Sequence, residues 1–110
     1  MRTKTIASLT LALLGVALGP RVQAQGLAAQ EALYAKGLAA TCANCHGTDG
    51  RAAPSSSLTG LAGLDKNYIV AQMKAFQTGS RPATVMQQIS KGFSDTQVES
   101  LATYFAALKK

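Results

Sequence analysis

Residues 42–46 read Cys42-Ala43-Asn44-Cys45-His46, and this stretch decides how the chain is interpreted. It contains both cysteines and the single histidine of a chain of 110 residues. The cysteines are three positions apart and end an apolar helical pattern that begins near Leu27. Two thiols and an imidazole are therefore predicted to lie side by side at the end of a helix.

The pattern C-x-x-C-H is the attachment signature of c-type haem. Two thiols on one helical face can add to the two vinyl groups of a haem, and the adjacent histidine can bind the iron from the same side. The chain is also poor in aromatic residues, with no tryptophan, three phenylalanines and three tyrosines, so that a flat apolar macrocycle would complete a small core. The sequence predicts one haem c, bound covalently through Cys42 and Cys45, with His46 as the proximal ligand.

Three other uses of the cysteines fit the pattern less well. A disulfide between Cys42 and Cys45 would close a very small ring and leave His46 without a role. A thioredoxin-like redox pair belongs to a β-α-β setting, and the sequence has no pattern typical of a strand. A zinc site needs four ligands, and the chain offers only one histidine besides the two cysteines.

The fold class predicted from the pattern is all-α, with three main helices and long loops. The first helix runs from about Leu27 to Cys45, and the second begins after Asp65 as N-cap and ends at Gly79. The third opens at Ser94 in a capping box with Gln97 and continues to Leu108. The stretches 47–64 and 80–93 are predicted to be loops. An irregular stretch as long as the first fits a small domain only if it wraps something that is not protein.

Two methionines can supply a second ligand to the iron once Met1 is removed with the leader. Met73 lies within the second helix, where a methionine is most often core filling. Met86 lies in the loop 80–93, which is free to bring a thioether to the open face of the iron. We therefore expect Met86 to be the second axial ligand.

The N-terminal residues are predicted to be a signal peptide, residues 1–24. A short basic start precedes a charge-free apolar run, Ile6 to Leu18, and Ala24 supplies the small residue before the cleavage site. This run is thirteen residues long, which is short of the ~20 that span a bilayer. The expected mature chain, 25–110, is one periplasmic domain without stable membrane insertion.

The charge of the mature chain argues against nucleic-acid binding. The whole chain has eleven Lys and Arg against five Asp and Glu, a formal net charge of +6. Removing Arg2, Lys4 and Arg21 leaves eight basic and five acidic residues, so that the net charge is +3. Nucleic-acid-binding domains concentrate more positive charge on one face.

Residues 30–108 resemble class I c-type cytochromes in carrying the attachment motif first, a methionine in a later loop and an amphipathic helix at the end. Four runs, 73–79, 82–86, 91–95 and 101–105, are similar to the haem domains of tandem di-haem cytochromes and most of all to the cytochrome subunit of flavocytochrome c sulfide dehydrogenase. Those relatives commonly carry two haem domains, whereas this chain has one motif. Many also carry a proline before the Leu-Ala-Gly segment, where this chain has Thr59-Gly60-Leu61-Ala62-Gly63.

The resemblance implies a class I cytochrome c fold wrapped around one haem, with His46 and Met86 as iron ligands and Cys42 and Cys45 as attachment sites. It also implies that the imidazole of His46 donates to a proline carbonyl, for which Pro54 is placed, and that Gly37 meets Tyr104 or Phe105 in a close crossing of the terminal helices.

The function implied is single-electron transfer rather than catalysis, because an iron with both axial positions filled has no place for a substrate. The expected partners are redox proteins, with a flavoprotein that oxidises sulfide as the donor. The alternatives are a free electron shuttle to an oxidase or reductase, and a haem gas sensor.

Overall fold

The computed structural model describes residues 20–110, with the side chains described from residue 24. The expected signal peptide therefore lies almost entirely outside the described residues. Five α-helices, α1 Pro20–Ala40, α2 Ala43–His46, α3 Lys66–Thr78, α4 Met86–Ser90 and α5 Asp95–Ala107, follow one another along the chain, with a 3₁₀ turn at Thr48–Gly50. No strand occurs between residues 20 and 110, so the predicted all-α class is confirmed.

The ends of the two long C-terminal helices are fixed by local hydrogen bonds that the sequence predicts. The Asp65 carboxylate accepts a bond of 2.9 Å from the Tyr68 amide at the start of α3, and Gly79 ends the helix in the left-handed conformation. The side chains of Ser94 and Gln97 form both bonds of a capping box at the start of α5.

The first predicted helix has a different end from the one expected. It stops at Ala40, and a turn at residues 41–42 separates it from α2. The hydroxyl of Thr41 donates to the carbonyl of Leu38 at 2.7 Å, and the amide of Cys42 bonds three residues back, to Ala39, at 3.0 Å. A threonine that bonds the backbone in this way competes with the regular helical ladder, so α2 can take its own direction.

The predicted loop 80–93 is also different, because it contains the short helix α4. Met86 is the first residue of this helix, whereas we expected it in irregular chain. The residues Met, Gln, Gln and Ile are favourable or tolerated in helices, and Gly92 follows soon after them. The loop 47–64 has only the 3₁₀ turn and is otherwise irregular, as predicted.

The core lies where α3 and α5 pack together, with α1 against α5 and α4 against α3. Its buried residues come from three helices and are Ala39, Ile69, Met73, Val98, Leu101, Ala102 and Phe105. Ion pairs between Lys66 and Glu99 and between Lys74 and Asp95 join α3 to α5 at the surface. Among the described residues, we find no helix with the length and apolar character needed to cross a bilayer.

The prediction that Gly37 packs closely against Tyr104 or Phe105 is wrong. Gly37 is exposed, and a Cβ atom added to it would meet nothing within 4 Å. The crowded glycine is Gly50, which has φ +71° and whose added Cβ would lie 2.9 Å from the ring of Phe105. Phe105 is thus in tight contact with the turn after the C-x-x-C-H motif, and Gly37 takes no part in the packing of α1 against α5.

Candidate functional site

The C-x-x-C-H motif forms one turn of helix that opens onto a cavity. The amides of Cys45 and His46 both bond the carbonyl of Cys42, at 3.3 and 2.9 Å. Gly47, with φ +81°, ends the helix directly after the histidine, in a conformation that suits glycine. Both thiols are free, and both line the cavity together with His46.

The imidazole of His46 is held through one ring nitrogen. Its Nδ1 lies 2.7 Å from the backbone carbonyl oxygen of Thr59. Because a carbonyl can only accept, Nδ1 carries a proton and donates it, which in the neutral imidazole leaves a free lone pair on Nε2. This arrangement of a histidine with one nitrogen engaged by a backbone carbonyl is typical of metal-ligating histidines.

Pro54 does not supply the carbonyl that the resemblance implied. Pro54 is exposed in a turn closed by a bond of 2.8 Å from the Ser56 amide to the Ala53 carbonyl. Further along the chain, the amides of Leu61 and Ala62 bond the Gly50 carbonyl in the turn that follows the motif, at 2.7 and 3.2 Å. These two bonds bring Thr59, which precedes the Gly-Leu-Ala-Gly segment, against His46.

The cavity has a volume of about 450 Å³, which is within the usual range for small-molecule and cofactor sites. Its polar lining includes the motif residues and the side chains of Gln72 and Arg81. The rest of its wall is mainly apolar, and these side chains are Leu58, Leu61, Leu64, Tyr68, Ile69, Met73, Phe76, Val85, Met86, Ile89, Phe93, Leu101 and Phe105.

Both candidate methionines line this cavity, but they are held differently. Met73 is 9% exposed and is part of the core with Ile69 and Leu101, as expected for a core-filling side chain. Met86 is half-buried and packs against the edge of that core. The structure thus brings all four predicted site residues, Cys42, Cys45, His46 and Met86, to one cavity.

The alternatives to a haem site find no support in this geometry. Burial raises the pKa of the Cys42 thiol, and the hydrogen bond with Thr41 only partly opposes this shift, whereas reactive redox cysteines have lowered pKa values. In the described part of the chain no group of three or more His, Cys, Asp or Glu side chains could hold a metal ion. Two thiols, an imidazole with Nε2 free, a thioether and an apolar wall fit a covalently bound haem.

The contacts of two side chains, Arg81 and Tyr104, were not anticipated from the sequence. Arg81 lies over the ring of Phe76, at 4.6 Å from its centroid, and bonds the amide oxygen of Gln72. Tyr104 donates a hydrogen bond of 2.7 Å to the carboxylate of Asp49, which joins α5 to the turn after the motif. Tyr104 and Asp49 are 55 positions apart in the sequence, so no local pattern could have indicated their contact.

Comparison with known proteins gives one family and several relatives. The family described as cytochrome C oxidase, cbb3-type, subunit III, matches residues 25–105. A thiosulfate dehydrogenase electron acceptor from Thiomonas intermedia is 41% identical over 71 residues, which cover 64% of this chain and 33% of the relative. The cytochrome subunit of sulfide dehydrogenase from Chlorobaculum tepidum is 38% identical over 73 residues, or 66% of this chain and 64% of the relative.

A cytochrome c4 from Pseudomonas aeruginosa is 34% identical over 82 residues, or 74% of this chain and 40% of the relative. The chain thus spans from one third to just under two thirds of the length of these three relatives.

Proposed function

Since the chain belongs to the class I c-type cytochromes, we propose that it carries single electrons between redox proteins by means of one haem c. In this proposal the haem is attached through Cys42 and Cys45 and its iron is held by His46 and Met86. The observation that supports it most directly is that these four side chains line one largely apolar cavity.

Each of these residues would have a separate role in binding the haem. Cys42 and Cys45 would hold the macrocycle in the cavity, and the carbonyl of Thr59 accepts from Nδ1 of His46, which leaves Nε2 to bind the iron. Met86 would hold the iron together with His46, which would leave no position for a substrate. Haem c, when bound, supplies an iron that gains or loses one electron, and methionine ligation raises its reduction potential.

The apolar wall serves the same function. Side chains such as Phe76, Phe93 and Phe105 line the cavity, and an apolar surrounding is one of the features by which a protein sets the reduction potential of a metal centre. An iron held by two side chains in apolar surroundings would suit an electron carrier.

We further propose that the donor is a dehydrogenase that oxidises reduced sulfur compounds, with a flavoprotein subunit as the donor to this chain. The support is the pair of relatives described as a thiosulfate dehydrogenase electron acceptor and a cytochrome subunit of sulfide dehydrogenase. The chain would act in the periplasm as residues 25–110, after removal of a signal peptide, residues 1–24.

The test of the haem assignment is the mass and colour of the exported protein. We expect the mass of a chain beginning at Gln25 plus one haem, colour that stays with the protein in acidified acetone, and one reversible one-electron step in a redox titration. Colour that moves into the solvent would contradict covalent attachment, and a different N-terminus would contradict the cleavage site.

The test of the partner is purification of the chain from its source under mild conditions. A flavoprotein that elutes with it, and that reduces it when sulfide is added, would support the subunit role. A chain that elutes alone and is reduced by several donors would instead indicate a free shuttle.

A further inference from the structure

The segment that carries Met86, residues 82–93, is shaped mostly by its own backbone. The amides of Gln88 and Ile89 bond the carbonyl of Val85, both at 3.0 Å, and the amides of Gly92 and Phe93 bond carbonyls three residues back. These bonds form α4 and the turn after it. They do not attach the segment to the rest of the molecule.

The segment is attached by the packing of Met86 and Phe93 against the core and by hydrogen bonds from Gln77, a half-buried residue near the end of α3. Its amide nitrogen donates to the carbonyl of Ser90 at 2.9 Å and to the carbonyl of Phe93 at 3.0 Å. Both partners can only accept, so the nitrogen and not the oxygen of the Gln77 amide must face them. The two N–H groups of one side chain thus bind both ends of the turn that follows α4.

We propose that Gln77 is a positioning residue that holds the Met86 segment against α3 and so keeps Met86 at the cavity. Across residues 24–110, no other side chain from outside residues 82–93 donates a hydrogen bond to this segment. The inference rests on the proposed function in one respect, which is that Met86 binds the iron.

The Met86 segment depends on Gln77 because the segment has little stability of its own. A helix of five residues has little stability of its own, and α4 has no side-chain N-cap. Removal of the Gln77 amide would leave the Phe93 carbonyl without its donor and the fully buried Ser90 carbonyl with only the bond of 3.2 Å from the Phe93 amide. Such a loss is costly, and movement of the segment outward into solvent, together with Met86, would satisfy the freed carbonyl groups.

The experiment compares the holoprotein with Gln77→Met, which has a similar length and no N–H donor. Gln88→Met is the matched control, because Gln88 is exposed on α4 and its side chain makes no hydrogen bond among the described residues. Gln77→Glu is the second variant, since it keeps the shape of glutamine and also lacks both donors. The readouts are amide hydrogen exchange and the rate at which carbon monoxide binds the reduced protein.

We expect exchange at the amides of Ile89, Gly92 and Phe93 to be about tenfold to a hundredfold faster in both Gln77 variants, as for the loss of two hydrogen bonds. Exchange at Leu101 in α5 should be unchanged. Carbon monoxide should bind both variants faster by a similar factor, because it must wait for Met86 to leave. Gln88→Met should match the unaltered protein in both measurements.

Two results separate the inference from the function on which it rests. Unchanged exchange in residues 89–93 of both Gln77 variants would overturn the role of Gln77. If the unaltered protein lacks the sulfur-to-iron absorption band and already binds carbon monoxide rapidly, Met86 is not the ligand, and faster exchange in the variants would then still support Gln77 as the attachment of this segment. Faster exchange without faster carbon monoxide binding, in a protein that has the band, would overturn the link to Met86.

Discussion

The histidine side of the cavity, residues 42–62, and the methionine side, residues 82–93, are held by different kinds of interaction. On the histidine side, the motif turn, the 3₁₀ turn and the segment before α3 bond one another through the carbonyls of Cys42, Gly50 and Thr59, and Tyr104 joins them to α5. On the methionine side, the amide of Gln77 provides the hydrogen bonds that reach the segment from another helix. The histidine side has hydrogen bonds from several residues, whereas the hydrogen bonds that reach the methionine side from another helix all come from Gln77.

This difference indicates where the site opens. Local opening requires the loss of only those contacts that hold the opening segment, so a region with few contacts opens more often than one with many. We therefore expect ligand exchange at the iron to occur by release of Met86, while His46 stays bound. Each of the following predictions tests one half of this comparison.

The largest effect is expected on the histidine side. Cys42→Ser or Cys45→Ser should leave little folded protein, because the bound group and the core form together. The measurement is the mass of the purified chain and its helical circular dichroism. Asn44→Ser, an exposed position in the same turn, is the control and should keep both. A stable coloured protein with either cysteine replaced would show that the covalent bonds are dispensable.

On the methionine side, Met86→Ala should abolish the weak sulfur-to-iron band, lower the reduction potential and let carbon monoxide bind, while the chain stays folded. Met73→Leu should do none of these and should cost less than about 1.5 kcal/mol, as volume-conserving core substitutions do. The measurements are the absorption spectrum and a redox titration. Loss of the band in Met73→Leu and its retention in Met86→Ala would assign the ligand to Met73.

A pair of glycines tests how tightly the histidine side is packed. Gly50→Ala should destabilise the protein by about 1–3 kcal/mol, because the new methyl group meets the ring of Phe105 and the φ of +71° is unfavourable for alanine. Gly37→Ala should stabilise it by about 0.5–1 kcal/mol, since this position is helical and open. Unfolding in guanidinium gives both values, and equal effects would contradict the structure of the turn.

The smallest change in stability is expected where Asp49 of the 3₁₀ turn contacts Tyr104 of α5. Tyr104→Phe should cost about 1 kcal/mol at neutral pH through loss of the bond to Asp49. That bond, together with burial and the charge of Asp49, raises the pKa of Tyr104 above its ordinary value of 10.0. The folded state therefore keeps the proton that the unfolded chain releases, and the free energy of unfolding should fall as the pH rises above 10.

Tyr104→Phe should remove this part of the pH dependence, so that the two stability curves converge at alkaline pH. Tyr34→Phe is the control, since Tyr34 is exposed on α1 and its hydroxyl accepts a bond of 3.0 Å from Gln97 instead of donating to a carboxylate; this variant should still show the fall in stability above pH 10. Parallel curves for Tyr104→Phe and the unaltered protein would show that the bond to Asp49 is absent in solution.

The amino-acid sequence by itself determined the features that depend on near neighbours. The placement of both thiols and the imidazole on one turn follows from their spacing, and the starts of α3 and α5 follow from Asp65, Ser94 and Gln97. These are contacts between residues three or four apart, so a short stretch of sequence contains everything that they need. The choice of Met86 over Met73 as iron ligand rested on their expected positions in a loop and in a helix, and it stays a prediction.

The tertiary structure alone decided which distant groups complete the site. Thr59 rather than Pro54 accepts from His46, because the Gly50 carbonyl binds the chain at Leu61 and Ala62. Met86 begins a helix instead of lying in a loop, and it is Gln77, thirteen residues before Ser90, that secures that helix. Backbone carbonyls carry no sequence signature, and which of them a side chain reaches depends on how the loops are packed. That is why these partners could be seen only in the folded molecule.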